Sequence, residues 1–376
     1  MVVKPSVQRD FSDASYQIQL DEKLNSFKDS LNQFGDFPIE VHQSKALGFR
    51  MRAEFRVWHE HGIANYAMNH PGEKRPYVID NFPIGSPLIT STMAPLLEII
   101  NRNETLRAKL FSIEFLTTLS GEVLATLIYH KKLDQQWKAE AEILEKELSI
   151  KIIGRARKQK LVLSSDSVTE ELTVNGKNFS YHQKESGFTQ PNAEINIKML
   201  EWASRCCAEI NNSSDLLELY CGNGNFTAVL AGHFNKVLAT EVSKVSVASA
   251  QKNFSLNGID NVTVVRLSSD EIVQAIQGER LFRRLKGHQL ENFKFSTVFV
   301  DPPRAGLDNI TESFVTKFDN ILYISCNPGP LFVNLNALTK THAISKVAAF
   351  DQFPWTSHLE TGFFLRKKEL INVGFA

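Results

Sequence analysis

The sequence predicts an α/β fold: a Rossmann-like, doubly wound parallel sheet in residues 184–376, preceded by an α+β domain in residues 1–183. Two observations predict the sheet. From Asp215 onward, short apolar runs alternate with helical segments, as in a parallel sheet with crossover helices. The first of these runs leads into a glycine-rich turn, Cys221–Asn225. Before residue 184, strand and helix patterns are mixed without that alternation, which is typical of an α+β domain.

Composition narrows the class of protein. The 376 residues are 43% hydrophobic and 22% charged, which is ordinary for a globular protein, and no run is apolar enough to span a bilayer. The first ten residues lack the apolar core of a signal peptide, so we expect a cytoplasmic protein. Its four cysteines show no Cys-x-x-Cys spacing, so we expect no metal site and no disulfide framework.

The first elements are a helix and a strand. Apolar residues recur at helical spacing from Leu20 to Phe34, and Gly35 ends the helix. Residues 48–58 then alternate with period two, which predicts a half-buried strand with a basic outer face. Three arginines share that face: Arg50, Arg52 and Arg56. Arginine suits phosphate, so the face is either an RNA-binding surface or simply a solvated one. Because the formal net charge is zero, any nucleic acid must be held by such local patches.

The rest of the first half contains a helical pattern in residues 83–101, a hairpin around Ser120-Gly121, and a helix that begins at Asp134. Asn175-Gly176 predicts a type I′ hairpin turn. Residues 151–160 hold five basic side chains and no acidic one, and residues 278–294 include Arg280, Arg283, Arg284 and Lys286. Each segment is either a second RNA-binding patch or a solvated loop.

The second half reads as strands that each end in polar residues. The strand before the glycine turn is 216–220, and the next, 236–241, ends in Glu241. Glycines let a ligand approach the backbone, and a carboxylate at the second strand's end can accept from both ribose hydroxyls. The third glycine of a dinucleotide fingerprint is replaced by Thr227, which disfavours a pyrophosphate. The pattern therefore indicates S-adenosylmethionine rather than NAD.

Three further residues follow strands. Asp301 precedes two prolines, which form a rigid ledge, and Arg304 comes next where amine methyltransferases carry an aromatic. Cys326 follows the strand 321–324 and precedes Asn327-Pro328, a helix start whose positive end should lower the thiol pKa. Cys326 is therefore a predicted nucleophile. Glu360 precedes the last strand and is a candidate general base, although from that segment alone a solvated turn carboxylate is the better interpretation.

Together these motifs resemble the RNA uracil-5-methyltransferase family, and in particular its tRNA-acting branch. The segments that carry the resemblance are Phe188–Gln190, Leu217–Asn225, Thr240-Glu241, Asp301–Arg304, Ser325–Pro328 and His358–Gly362. The tRNA-acting branch is indicated by residues 50–59, 111–134 and 351–354.

The resemblance implies a class I S-adenosylmethionine-dependent methyltransferase domain, behind an RNA-binding domain, that methylates uridine 54 in the tRNA T-loop. It implies Cys326 as nucleophile and Glu360 as the base that removes the C5 proton. The residues implied to contact the cofactor are Gln190, Tyr220, Gly222, Gly224, Asn225, Glu241 and Asp301. We expect a monomer that binds the T-arm. The alternatives are another RNA substrate (ribosomal RNA or tmRNA), a non-catalytic tRNA-binding or tRNA-folding protein, and an NAD dehydrogenase.

Overall fold

The computed structural model describes residues 10–69, 72, 75–210 and 214–373, without the side chains of 371–373. The chain forms two compact units. The split unit combines the residues up to Ala46 with Glu194 onward, and the inserted unit comprises Leu47–Ala193. The sequence predicted a single boundary between residues 183 and 184, whereas the two units divide after Ala46 and after Ala193. The first helix belongs to the same unit as the doubly wound sheet, because its apolar face packs there.

Strands and helices alternate across residues 215–350 of the split unit, as the sequence predicted. The strands of the described chain are β1 (Ile39–His42), β2 (Arg52–Glu60), β3 (Ile63–Met68), β4 (Tyr77–Val78), β5 (Leu110–Thr117), β6 (Val123–Tyr129), β7 (Lys151–Ala156), β8 (Gln159–Val162), β9 (Ser167–Val174), β10 (Lys177–Lys184), β11 (Asp215–Leu219), β12 (Val237–Thr240), β13 (Val262–Val265), β14 (Phe295–Val300), β15 (Asn320–Ser325), β16 (His342–Phe350) and β17 (Glu360–Lys367). The α-helices of the same residues are α1 (Asp13–Leu31), α2 (Pro87–Arg102), α3 (Glu104–Arg107), α4 (Gln135–Leu148), α5 (Ala193–Ala208), α6 (Asn225–Leu230), α7 (Lys244–Leu256), α8 (Ser269–Ile276), α9 (Asn309–Val315), α10 (Pro328–Leu338) and α11 (Lys368–Val373).

The sheet of the split unit has the order β1-β16-β17-β15-β14-β11-β12-β13. It is mixed, not wholly parallel as predicted: β17 runs antiparallel to both β15 and β16. The reason is the short connection from Phe350 to Glu360. A parallel return needs a crossover of a dozen or more residues, usually a helix, whereas a short loop returns the chain in the opposite direction.

The core of the split unit lies between this sheet and its helices. The central strands β11, β12 and β15 are buried along their whole length, as near-continuous apolar runs in parallel sheets should be. Helix α1 is amphipathic as predicted, and its Phe27 ring lies 5.7 Å from the Phe332 ring and 6.1 Å from that of Phe363. The buried face of α1 also carries a lysine, Lys23.

The inserted unit is an α+β structure, as predicted. Its sheet has the order β4-β3-β2-β5-β6-β7-β8, and β9 and β10 form a separate hairpin. That hairpin turns at Asn175 and Gly176, both with positive φ, which confirms the predicted I′ signal. Helix α4 begins after Asp134, whose side chain accepts from the amide of Trp137. Within the described residues of the whole chain, no helix has the length and apolarity needed to cross a membrane.

Candidate active site

The predicted catalytic and cofactor residues of the split unit meet at one edge of its sheet. Strands β11, β12, β14 and β15 are parallel, so their carboxyl ends share that edge. Tyr220, Glu241, Asp301 and Cys326 directly follow these strands. Because β17 runs antiparallel to β15, its first residue, Glu360, lies at the same edge. Such an edge is where open α/β sheets bind ligands.

Cys326 and Glu360 are brought together by strand register. The last paired residues of β15 and β17 are Ser325 and Thr361. Because the strands are antiparallel, Cys326, which follows Ser325, adjoins Glu360, which precedes Thr361. Side chains opposite each other in an antiparallel pair have Cβ atoms about 5 Å apart. Glu360 is 3% exposed, whereas Cys326 is partly exposed. A buried carboxyl group therefore lies beside a partly exposed thiol.

The helix that follows Cys326 begins as predicted, with Asn327 at the N-cap and Pro328 in its first turn. The expectation that this helix lowers the thiol pKa is wrong for this structure. Burial, together with the Glu360 and Asp301 carboxyls, raises the pKa of Cys326 to about 11, while Arg304 and a backbone hydrogen bond act in the opposite direction. Burial disfavours the charged thiolate, and the two neighbouring acids repel it. The resting cysteine is a thiol.

The acids beside the cysteine are also shifted. Burial, and secondarily Asp301, raises the pKa of Glu360 well above its usual range. Burial raises the pKa of Asp301 to about 7. Adjacent carboxylates resist ionising together, so the pair holds a proton near neutral pH. A carboxyl whose pKa is raised in this way is a stronger base than an ordinary glutamate.

The glycine turn forms a second part of the site. Gly222 has φ 56° and its amide donates to Glu241 Oε2 (3.2 Å), while the amide of Ser243 donates to Glu241 Oε1 (2.7 Å). The carboxylate is thereby fixed with lone pairs remaining for a diol. A Cβ added at Gly222 would meet no described atom within 4 Å, so the backbone there is open to a ligand. The role of these residues toward a nucleoside cofactor stays a prediction.

The other predicted cofactor residues are distributed over both units. Tyr220 has φ 61°, and its hydroxyl interacts with Ser269 and Thr311. Asn225 starts α6 and exchanges two side-chain hydrogen bonds with Asn196 (2.8 and 3.0 Å). Gln190 belongs to the inserted unit. The roles of these three residues toward the cofactor stay predictions.

Gly224 provides a test of the turn. It has φ 78°, and an added Cβ would lie 2.7 Å from the Phe254 ring. We expect Gly224→Ala to weaken binding of S-adenosylhomocysteine at least about tenfold, because both left-handed strain and overpacking would displace the turn. Isothermal titration calorimetry measures the effect.

The control for that substitution is Gly232→Ala, where an added Cβ would again meet no described atom within 4 Å. Equal affinities for the two variants would show that the turn does not hold the cofactor.

The three arginines predicted to bind RNA separate into two groups. The Arg50 Nε donates to the Arg52 carbonyl (2.9 Å), and the Arg52 guanidinium donates to the carbonyls of Glu185 and Gly187 (2.7 Å each). Both side chains therefore brace the backbone of the inserted unit. Arg56 is exposed, and its guanidinium lies 5.1 Å from the centroid of the Phe111 ring.

The basic segment 151–160 is largely compensated within the inserted unit. Lys151 pairs with Glu122 (2.6 Å), Arg155 with Glu185 (2.7 Å) and Lys160 with Asp166 (3.2 Å). The sequence could not show this, because the acidic partners come from other strands and loops.

Two groups at the site were missed from the sequence. Glu218, buried on β11, has its pKa raised to about 8, chiefly by burial. An acid inside the apolar run 216–220 was the available signal. His358 Nε2 lies 3.1 Å from Arg304 Nη2 and accepts from it, and only the fold brings these residues together. Among the described residues, no group of three or more histidines, cysteines or acids is arranged to hold a metal ion.

The mixed sheet, with the glycine turn at the carboxyl ends of its strands, is the fold of S-adenosylmethionine-dependent methyltransferases. The solved structure of a Pyrococcus abyssi tRNA (uracil-54, C5)-methyltransferase, in complex with S-adenosyl-L-homocysteine, has the same fold. The comparison of the two structures gives a TM-score of 0.71 and a sequence identity of 20%, and it covers 97% of this chain and 88% of the Pyrococcus abyssi chain.

The sequence profile of the tRNA (Uracil-5-)-methyltransferase family matches residues 15–368, and the chain belongs to that family. Two similar relatives are proteins named tRNA/tmRNA (uracil-C(5))-methyltransferase. The one from Saccharophagus degradans is 53% identical over 94% of this chain and 97% of its own length. The one from Cellvibrio japonicus is 51% identical over 96% of this chain and 98% of its own length. The predicted family is confirmed.

Proposed function

We propose that this protein methylates carbon 5 of uridine 54 in the T-loop of tRNA, through a covalent bond between Cys326 and the base. The observation that carries the proposal is the adjacency of the Cys326 thiol and the buried Glu360 carboxyl at the cofactor edge of the sheet. Family membership and the names of the relatives support the substrate.

The chemistry requires both side chains. Carbon 5 of uracil is a weak nucleophile, and addition of the Cys326 sulfur to carbon 6 moves electron density onto it. S-adenosylmethionine supplies an electrophilic methyl group at that carbon. Glu360 then accepts the C5 proton, the C–H electrons form the C5–C6 double bond, and Cys326 leaves from carbon 6. A thiolate without a base would leave the product attached to the protein.

The raised thiol pKa requires that the Cys326 thiol pass its proton to solvent water as the substrate binds, before the sulfur adds to carbon 6. Arg304 is the cation that favours the thiolate, and Asp301 and Glu360 are the groups that oppose it. A bound uracil that excludes water would strengthen each of these interactions. The uridine must also leave its stack, and RNA loops permit this at low cost.

A surface of the inserted unit suits an RNA loop. The Arg56 guanidinium, the Phe111 ring and the His130 ring form a stack, with the Phe111 and His130 centroids 4.1 Å apart at 20°. Around this stack is a groove lined by Arg56, Val57, Trp58, His59, Lys109, Leu110, Phe111 and His130. Unstacked bases bind on aromatic and guanidinium planes, and lysines attract phosphate. We propose that Arg56, rather than Arg50 or Arg52, is the RNA contact of strand β2.

Reversing the charge of Arg56 tests this surface. We expect Arg56→Glu to weaken T-arm RNA binding about tenfold and to reduce the salt dependence of binding by about one phosphate contact. Fluorescence anisotropy at several salt concentrations measures both. Arg102→Glu, an exposed arginine at the end of α2, makes the same change in net charge. If both variants lose affinity equally, the groove is not the binding site.

Mapping the modified nucleotide tests the proposed substrate. Total RNA incubated with the protein and S-adenosylmethionine, then digested and analysed by mass spectrometry, should contain 5-methyluridine at position 54 of tRNA. Because the relatives are named for tmRNA as well, tmRNA is a second candidate substrate and belongs in the same assay. Methylation of ribosomal RNA alone, or RNA binding without methylation, would contradict the proposal.

A further inference from the structure

The loop that leads into Glu360 is held by a helix more than three hundred residues earlier in the chain. This loop, residues 351–359, joins β16 to β17. Helix α1 lies beside it in the split unit.

A buried ion pair fixes the start of the loop. The Lys23 ammonium lies 2.7 Å from Asp351 Oδ1 and donates to the Phe353 carbonyl at 2.9 Å. Lys23 is 8% exposed and Asp351 is fully buried. The Asp351 amide also donates to the His42 carbonyl (3.0 Å). Buried charges persist only when paired, so these groups have little freedom to move apart.

Further contacts fix the middle of the loop. The Gln19 Nε2 donates to the Thr356 carbonyl (3.1 Å), and Gln19 Oε1 accepts from the Trp355 amide (2.7 Å). The Trp355 indole donates to the Ala46 carbonyl (2.7 Å) and meets the Phe11 ring edge-on. Trp355 has φ 65°, a conformation that a bulky residue adopts only when its surroundings enforce it. The N-terminal segment supplies those surroundings.

The end of the loop belongs to the active site. His358 accepts from Arg304, the cation beside Cys326, and Glu360 follows two residues later. The chain from Asp351 to Glu360 thus connects the contacts of α1 to the reacting groups. A shift of the loop would move Glu360 while leaving the glycine turn of the cofactor site in place, because that turn is held by β11, α6 and Glu241.

We propose that helix α1 is a positioning element of the methylation reaction, with Gln19 and Lys23 holding the 351–359 loop so that Glu360 faces the substrate carbon 5. The inference rests on the proposed function. Neither residue touches the substrate: they are positioning residues that act through Glu360. Their loss should slow proton removal more than it slows addition of Cys326 or methyl transfer.

That order of effects gives a specific signature. When Glu360 is misplaced, the methyl group is already on carbon 5 but the proton remains, so the C6–S bond cannot break. Methylated RNA then accumulates as a covalent complex with the protein. A helix that merely stabilised the fold would change the fraction of folded protein and not this ratio.

The experiment compares Gln19→Ala with Gln17→Ala. Gln17 lies on the same helix, and its amide donates to Asp21 (2.8 Å) on the exposed side. For Gln19→Ala we expect kcat to fall about tenfold and the covalent fraction on gels to rise. Its cofactor affinity and unfolding temperature should equal those of Gln17→Ala. Lys23→Met leaves a buried carboxylate unpaired and should also unfold at lower temperature, so Gln19 carries the test.

The outcomes separate the two proposals. If Gln19→Ala matches Gln17→Ala in kcat and in covalent fraction, the positioning role is wrong. The same holds if Gln19→Ala loses activity only in proportion to unfolded protein. If the unmodified enzyme forms no covalent complex with RNA that contains 5-fluorouridine, the proposed function itself fails.

Discussion

Replacing Cys326 with alanine is expected to reduce turnover at least about 10⁴-fold, because no neighbouring group can add to carbon 6 in its place. The thiol follows β15 at the cofactor edge and lies beside Glu360. Transfer of radiolabelled methyl from S-adenosylmethionine to T-arm RNA measures the loss. RNA affinity should change little, since the proposed RNA surface lies on other residues.

The matched control is Cys206→Ala. Cys206 is fully buried on α5, so an RNA base cannot reach its sulfur. We expect that variant to keep nearly full activity. Residual turnover by Cys326→Ala within about tenfold of the control would show that the methyl transfer does not pass through this cysteine.

Glu360→Gln should lower kcat by about 10²–10⁴-fold, because the amide keeps the shape of the side chain but cannot accept a proton. The variant should still add Cys326 to the base and receive the methyl group. Covalent methylated RNA should therefore accumulate, detectable as a shifted band on a denaturing gel. The control is Glu201→Gln. Glu201 lies on α5 and pairs with Lys198, so this variant should behave like the unmodified enzyme.

The direction of the pH dependence follows from the same group. Burial raises the pKa of Glu360, so its basic form is lost as the pH falls through that raised value. The Cys326 thiolate is also favoured by higher pH, since the pKa of the thiol is about 11. We expect kcat of the unmodified enzyme to rise from mildly acidic to alkaline pH. A rate that rises as pH falls would contradict Glu360 as the base.

The sequence was sufficient for the elements whose signal is local. A glycine turn after an apolar run, and a cysteine before Asn-Pro, mark the ends of two strands, and parallel strands place such ends at one edge. The I′ turn at Asn175-Gly176 is equally local, since only positive φ at both residues matches the twist of the strands.

What the sequence could not show depends on partners distant in the chain. In the sequence, Arg50 and Arg52 could not be distinguished from Arg56. In the structure, the Arg52 side chain donates to the carbonyls of Glu185 and Gly187, and the Arg50 side chain donates to the Arg52 carbonyl. The pKa of the Cys326 thiol is raised by burial and by the Glu360 and Asp301 carboxyls, which only the fold brings beside it. The sequence of α1 showed an apolar stripe. It did not show that Lys23 lies within that buried face and pairs with Asp351.

The most direct test of the central claim uses a T-arm hairpin with 5-fluorouridine at position 54, incubated with the protein and S-adenosylmethionine. Fluorine cannot leave as a proton, so the reaction should stop with the base attached to the protein. Peptide mass spectrometry should locate a methylated fluorouracil on Cys326 and on no other cysteine. Tight RNA binding with no adduct, or an adduct at a different residue, would contradict covalent catalysis by Cys326.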